Sequence, residues 1–374
     1  MSIITVRDLA ERLEAQFAGD GGIALSGASA PDAATGTQLA LAMDPSYGEA
    51  LARGSARAAV LWPGADWRAL GLEAAIFVTR PRYAMAGITG AFEQPPKLTP
   101  GIHPSAIIDP SARIAPGASI GAFCVIGAGV NLGRNARLLS HVTLAERVRI
   151  GSDCLIYSGV RIGSDVRIGD RFIAHYNAVV GGDGFSFVTP EPSAVEEARQ
   201  QFDTSGRARK QSYVRIASLA SVEIGDDVEL GALATVDKGT VADTRIGRGT
   251  KLDNHVQVGH NVRIGQDCLL CAHAAVAGST VLGDRVVLGG QAGVGDHLVI
   301  GNDVIAAGAT AILSNVPEGR VMMGYPAVRM TQNIASYKAL RRLPRLLEKI
   351  DRLEKRVAEL DAAPPEQGTR GGHV

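Results

Sequence analysis

Large aromatic side chains are scarce: phenylalanine, tyrosine and tryptophan make up 5% of the 374 residues, with only two tryptophans. A core filled by ring packing is thereby excluded, and the interior has to be assembled from aliphatic side chains. Net charge is missing too. Lys plus Arg and Asp plus Glu balance at 38 each, for a formal charge of zero at neutral pH, so a nucleic-acid partner held by phosphate neutralisation is not indicated. No apolar run reaches the ~18 residues of a membrane span. The start, MSIITVRDLAERLEAQFAG, has no apolar stretch behind a basic segment, unlike a secretory signal. These absences lead to the expectation of a soluble, cytoplasmic protein with no transmembrane segment.

Cysteine is sparse as well, at four residues. Cys268 and Cys271 form a CxxC, the spacing of zinc and redox sites, but no second CxxC completes a four-ligand set. Cys124, Cys154 and Cys268 instead fall where a repeat, described next, carries Ala or Val, so they read as small core residues. No metal site is expected.

What is abundant is glycine, 45 residues, and it recurs in phase. Cut every six residues, the stretch from 246 to 317 reads IGRGTK LDNHVQ VGHNVR IGQDCL LCAHAA VAGSTV and onward. Each block opens on Ile, Leu, Val or Ala, most openers are followed by Gly, and the fifth position is small or apolar. Such a hexad is the signature of a parallel β-helix. Three blocks close one triangular coil of eighteen residues, and coils stacked ~4.8 Å apart line the openers up in one column. The Gly, Asn and Asp after the openers are assigned to corners that need positive φ.

The phase begins at Ile102 and is unbroken through Val180, up to the DGF at 183–185. A polar excursion near 188–212 must loop out of the coil. The repeat resumes by Ile224 and shows a ten-residue step from Val236 to Ile246, which places a smaller loop near Ala242 to Arg245. The fold class is therefore all-β with α additions: a β-helix over 101–317, an N-terminal α/β domain over 1–100 and C-terminal helices over 318–374. In the first domain Val6, Leu9, Leu13 and Phe17 predict an amphipathic helix, and AAVLWP at 58–63 and AAIFVT at 74–79 predict strands. Pro95, Pro96 and Pro100 mark a linker. After the repeat, Ile334, Tyr337 and Leu340 form one helical face, Pro344 breaks the run, and Leu346, Ile350, Leu353, Val357 and Leu360 continue it. The tail from Ala362 to Val374 has the composition of a disordered segment.

The hexad phase also sorts the histidines. His141, His255, His273 and His297 sit fourth in their blocks and His103 and His175 second, as polar corner residues. His260 alone sits third. One coil on, eighteen residues later, its place is taken by Gly278, which leaves an open notch and an approachable backbone N–H. A neutral imidazole beside a fixed N–H suits acyl transfer: the first takes a proton from the nucleophile, the second stabilises the oxyanion. Asp253, one block earlier, is the candidate to orient the imidazole. No serine is in phase with His260, so a Ser-His-Asp arrangement is unsupported.

The motifs RDLAERL at 7–13, DPSY at 44–47, GGDGF at 181–185, VDKGT at 236–240, DNHVQVGHN at 253–261 and GYP at 324–326 resemble the UDP-3-O-acylglucosamine N-acyltransferase family of lipid A biosynthesis. The resemblance covers nearly the whole chain. It implies a left-handed β-helix, an exception to the usual right-handed crossover, assembled as a homotrimer with sites between subunits. It makes His260 the general base and Gly278 the oxyanion N–H, with Gln257 and Asn261 lining the sugar and acyl pocket. It brings His297 near the acyl groove, about 10 Å along the prism from His260 given the strand spacing. The N-terminal domain would bind uracil through Tyr47, although Leu41 and Asp44 stand where the family carries an aromatic residue and Asn. The donor implied is a 3-hydroxyacyl chain on the 4′-phosphopantetheine of acyl carrier protein, with no bound cofactor, and Arg341, Arg342 and Arg345 are candidates to meet that acidic partner. Small residues from Ala306 to Ala311 would leave room for an acyl groove.

Four other readings use the same prism. The sibling O-acyltransferase acting on UDP-N-acetylglucosamine normally starts directly with the β-helix, which the first 100 residues argue against. An acetyl-CoA-dependent sugar N-acetyltransferase is separated by its donor. A γ-type carbonic anhydrase needs three converging histidines, and His255, His260 and His273 lack that phase. A purely structural or binding solenoid has no need of the His260–Gly278 pairing.

Overall fold

The computed structural model describes residues 3–193, 212–324 and 327–362. Most of the polar excursion, Tyr325 and Pro326 of the GYP motif, and nearly all of the C-terminal tail lie outside the described residues. The chain divides into two compact units, Met1–Lys97 and Leu98–Val374.

The second unit is a prism of three parallel sheets with 9, 11 and 10 strands. Successive coils pair at an offset of eighteen, so that Ile102 lies against Ile120 and Ile120 against Leu138. Alternation then decides which side chain goes inside: in each two-residue strand the second residue is the opener, and it points into the column. Openers and fifth positions such as Leu132, Ala136, Leu138, Val142 and Leu144 are fully buried. Each large aliphatic in this column contributes roughly 1.5–3 kcal/mol by leaving water. The column admits one ring, Phe172, in keeping with the aromatic-poor composition. Cys124, Cys154 and Cys268 are buried in it as free thiols, and burial pushes the Cys154 thiol up to about 12.

The corners differ from expectation in one respect. Positive φ falls at the fourth position, on Asn135, His141, Arg147, His255, Asn261 and His273 among others, and, apart from Gly181, not on the glycines that follow the openers. Those glycines serve close approach: a methyl group on Gly133 would stand 2.3 Å from the carbonyl carbon of Gly151 in the next coil. Fourth-position side chains then stack coil on coil. His255 lies over His273 with ring centroids 4.7 Å apart, Phe123 over His141 at 5.1 Å, and Arg147 pairs with Asp165 at 2.7 Å.

Two departures from the eighteen-residue coil matter for the site. Val180 and Gly182 flank a bulge in the strand Val179–Asp183. The coil that follows pairs at an offset of 22, Val236 with Val258 and Ile224 with Ile246. Its four extra residues fall within the loop 239–243, slightly earlier than expected, because Thr244 and Arg245 already pair with Val222 and Glu223. Asp243 anchors this loop, accepting from the Ser221 amide at 2.8 Å and from Arg167 at 2.6 Å.

After the prism a single helix, Met330–Ala362, runs through Pro344. The expected break does not occur. Proline removes one intrahelical bond, but the carbonyl it frees, on Leu340, lies in an exposed turn where water satisfies it, and strong helix formers flank it on both sides. Ile334, Leu346, Ile350, Leu353 and Val357 are all exposed in the single chain.

The first unit is a five-stranded sheet in which Gln16–Gly19 runs antiparallel to Ala74–Phe77 and the next three strands are parallel. The two apolar runs form its centre, Ala58–Leu61 and Ala74–Phe77. The first helix is shorter than its periodicity suggested. It spans Val6–Arg12, capped by the Thr5 hydroxyl, and ends because Glu14 turns the chain at φ 50°. Phe17 is therefore a strand residue, packed on the same core from the sheet. The helix Pro81–Phe92 and the strand Gln38–Ala42 were not expected.

Candidate active site

The strands Gln257–Val258, Ala275–Val276, Gly293–Val294 and Ala311–Ile312 stack in register. Their second residues are buried. Their first residues face out, so the outer wall passes from Gln257 to Ala275, Gly293 and Ala311. Because three of these are small, the wall is hollowed into an open groove of about 730 Å³, which Asp183, Phe185 and Leu313 also line. Ala306, expected to help form an acyl groove, instead points into the core and is 1% exposed. Only Ala311 of that stretch lines the groove.

His260 stands in the groove wall, in the turn after Gln257–Val258. Its ring is held between two glycines. A methyl group on Gly184 would stand 2.6 Å from its Cβ, and one on Gly278 would stand 2.7 Å from its Nε2 and Cε1. Any side chain at either position would displace the imidazole.

Asn261 sets the protonation pattern. Its Oδ1 accepts the Thr240 backbone N–H at 3.1 Å, so this atom is an oxygen, and its Nδ2 donates to the Ala242 carbonyl at 2.8 Å. The same Oδ1 lies 2.9 Å from His260 Nδ1, which must therefore carry the proton and donate it. Nε2 is left with a lone pair. It faces Gly278, whose N–H finds no acceptor among the described residues. A basic nitrogen and an open backbone donor thus share one wall. The 22-residue coil makes this possible, since the loop 239–243 supplies both Thr240 and Ala242.

Gln257 lies three residues before His260 in the same coil, its Oε1 accepting the Thr235 hydroxyl and its Nε2 donating to Asp237 Oδ2 at 3.0 Å. Asp237, Asp183 and Phe185 line the groove but were not singled out as site residues from the sequence. All three sit in VDKGT or GGDGF, and counting with a coil of 22 rather than eighteen residues would have set Asp237 beside Gly259. Asp183 is the centre of a charge cluster, paired with Arg215 and, at 3.0 Å, with Lys238.

Two expected residues are elsewhere. Asp253 is not brought to His260 within the chain: its carboxylate caps the next turn, accepting from the Asn254 and Ala272 amides at 2.7 and 3.0 Å. Being one block earlier places it on another sheet of the prism, in a depression with His175, Glu229 and Cys271. His297 donates its backbone N–H to the Gly278 carbonyl at 3.1 Å, and its side chain is not among those that line the groove. Within one chain His255 and His273 stack on each other while His260 is held by Asn261, so these three do not converge as metal ligands.

In the first unit Tyr47 ends the short 3₁₀ turn Pro45–Tyr47 and is 45% exposed. Asp44 caps that turn, its Oδ1 accepting the Ser46 hydroxyl and amide at 2.6 and 2.9 Å. Those bonds, the hydroxyl first, hold its carboxyl below the usual range. Leu41 is half-buried against the core beneath the first helix. Arg341, Arg342 and Arg345 are exposed on the C-terminal helix.

Comparison with known proteins bears on the fold and the family. Residues 243–278 match the family model for bacterial transferase hexapeptide (six repeats), and 142–169 that for the hexapeptide repeat of succinyl-transferase. The UDP-3-O-acylglucosamine N-acyltransferase of Ruegeria pomeroyi is 57% identical over 355 residues, 95% of this chain and 98% of that protein. Its namesake in Paracoccus denitrificans is 59% identical over 258 residues, 69% of this chain and 70% of that protein. Among solved structures, an Arabidopsis UDP-N-acetylglucosamine acyltransferase superposes with a TM-score of 0.51 at 22% identity, over 60% of this chain and 71% of that one, which speaks to the fold. The chain is an acyltransferase built on the left-handed parallel β-helix, and it belongs to the UDP-3-O-acylglucosamine N-acyltransferase family.

Proposed function

We propose that this enzyme moves a 3-hydroxyacyl group from the 4′-phosphopantetheine thioester of acyl carrier protein to the 2-amine of UDP-3-O-(3-hydroxyacyl)glucosamine. The observation that carries the reading is the His260 tautomer: Asn261 Oδ1 accepts the hydrogen bond from Nδ1–H at 2.9 Å, so Nε2 opens on the groove as a base beside the Gly278 N–H, which has no acceptor among the described residues. In the reaction the amine nitrogen attacks the thioester carbonyl carbon, and Nε2 takes a proton from it. The carbonyl oxygen becomes an oxyanion and receives the Gly278 N–H. When the C–S bond breaks, His260 returns its proton to the departing sulfur. The trough of Ala275, Gly293 and Ala311 suits an alkyl chain.

A homotrimer with sites between subunits fits the same reading. The groove is open on one side, and the C-terminal helix exposes an aliphatic seam that a neighbouring helix would cover. Tyr47 is available to stack on uracil, and Arg341, Arg342 and Arg345 to meet acyl carrier protein. No helix among the described residues is long and apolar enough to cross a membrane, which accords with a cytoplasmic location.

The test is mass spectrometry of products after mixing the protein with UDP-3-O-acylglucosamine and hydroxyacyl carrier protein, with acetyl-CoA as the competing donor. A diacylated UDP-sugar carrying an amide is expected. Transfer from acetyl-CoA alone would overturn the donor, and a light-scattering mass of one subunit at micromolar concentration would overturn the trimer.

A further inference from the structure

The mechanism above leaves two carboxyl groups in the groove unused, Asp183, which is ion-paired, and Asp237. Asp237 directly follows Val236, which pairs with Val258, and its carboxyl shares the groove wall with His260. Oδ2 accepts from Gln257, whose amide is turned that way because its oxygen is occupied by the Thr235 hydroxyl. Oδ1 has no partner among the described residues. No cation among the described residues answers the charge either. Lys238, next in sequence, and Arg215 both turn to Asp183. The other charged or titratable groups that face Asp237 are thus Asp183, already paired, and His260.

Burial accordingly pushes the Asp237 carboxyl up, opposed by the Gln257 hydrogen bond and by its proximity to His260. A half-buried carboxylate kept without a counter-ion is unfavourable for folding. It is suited to a cation that arrives with a ligand.

An acceptor amine is such a cation. With a pKa near that of an α-amino group, ~7.7–8.0, much of it is ammonium at neutral pH. Ammonium has no lone pair for attack, and conversion to an amide removes two protons from it. His260 takes one and returns it to the leaving sulfur, so the other needs a second acceptor. We propose that Asp237 binds the acceptor's ammonium and takes its first proton, leaving the second to His260. An N–H bond breaks and an O–H bond forms on Asp237; the freed lone pair makes the C–N bond; His260 then removes the next proton and delivers it to sulfur as C–S breaks. Asp237 finally releases its proton to water, so one proton leaves per turnover. This assignment rests on the reading of an amine acceptor.

The experiment is calorimetric titration of UDP-3-O-acylglucosamine into the full-length protein without donor, from below to above the acceptor amine's own pKa. Wild type is expected to lose affinity as the amine deprotonates. Asp237→Asn, which keeps an oxygen for Gln257, should bind at least about tenfold more weakly at the low end and match wild type at the high end. The corresponding UDP-3-O-acylglucose, with a hydroxyl for the amine, should show neither effect. Affinity of wild type that is flat with pH, or an Asn variant that tracks wild type throughout, overturns the proposal. The wild-type curve decides even if the variant does not fold. The variant's Tm is a second readout. A folded-state pKa raised above the unfolded one loses stability as pH rises through that interval, so removing the charge should leave Tm at neutral pH at or above wild type; a lower Tm contradicts the unpaired anion. If wild type makes no amide product, the functional reading itself fails. If wild type makes it and His260→Ala does not, a flat curve removes only the role of Asp237.

Discussion

Gly278 lies so close beneath His260 that a single methyl group on its Cα would stand 2.7 Å from both Nε2 and Cε1 of the imidazole. Its φ is outside the left-handed region, so alanine is accepted by the backbone and acts only by pushing the ring. Displacement of a catalytic group by about 1 Å costs on the order of 10²-fold in rate. Gly278→Ala should therefore lower kcat by about that factor with Tm nearly unchanged, measured by steady-state assay and thermal melting. Normal turnover would show that the ring does not need its present position.

Asn261 holds both His260, the proposed base, and the loop that widens the coil. It accepts from His260 and Thr240, donates to Ala242 and sits at φ 60°, where a non-glycine residue without a local hydrogen bond is strained by roughly 1–2 kcal/mol. Asn261→Ala should lower kcat about 10–100-fold, as loss of an orienting partner does, and lower Tm as well. The paired loss separates it from Gly278→Ala.

The groove's depth depends on Gly293, around which there is open space for a side chain. Valine suits a strand, so Gly293→Val should fold and fill the trough. Each methylene kept out of an apolar site forfeits about 0.8 kcal/mol, and two forfeit about tenfold. Competition between donors of different chain length should shift toward shorter chains by at least that factor. An unchanged preference would place the acyl chain elsewhere.

Tyr47 is an exposed ring of the first unit, with Asp44 committed to its own turn and Leu41 to the core. Tyr47→Ala should raise the acceptor KM with kcat little affected, the pattern of lost uniform binding. An unchanged KM for the UDP-sugar would mean that uracil is held by other residues.

The prism was legible because six-residue phase and strand alternation together decide which side chain faces in. That logic placed the core column and set His260 against Gly278. It failed wherever the coil departs from eighteen residues or one periodicity imitates another. Asp237 reaches the groove only because the coil 236–258 has 22 residues, and the Asn261 contacts depend on the same loop. Asp253 looked close to His260 in sequence, yet a triangular coil sends consecutive blocks to different faces. Ala306 reads as small whether it lies inside or outside; only its opener position shows that it is core. Phe17 keeps a helical spacing from Leu13 but belongs to a strand, because spacing does not register the turn at Glu14. Pro344 shows the converse, a local breaker absorbed by an exposed helix.

The central claim is that His260 is the base, and comparison with His297 tests it most directly. Both are histidines at prism corners, but His260 lines the groove while the side chain of His297 does not. Single-turnover and steady-state rates should be measured for His260→Ala and His297→Ala, with the mass of each variant compared with wild type by light scattering. His260→Ala should lower kcat by at least ~10²-fold in an intact assembly, and His297→Ala should act mainly on KM. Near-normal turnover by His260→Ala, or equal kcat losses at both positions, would contradict the account.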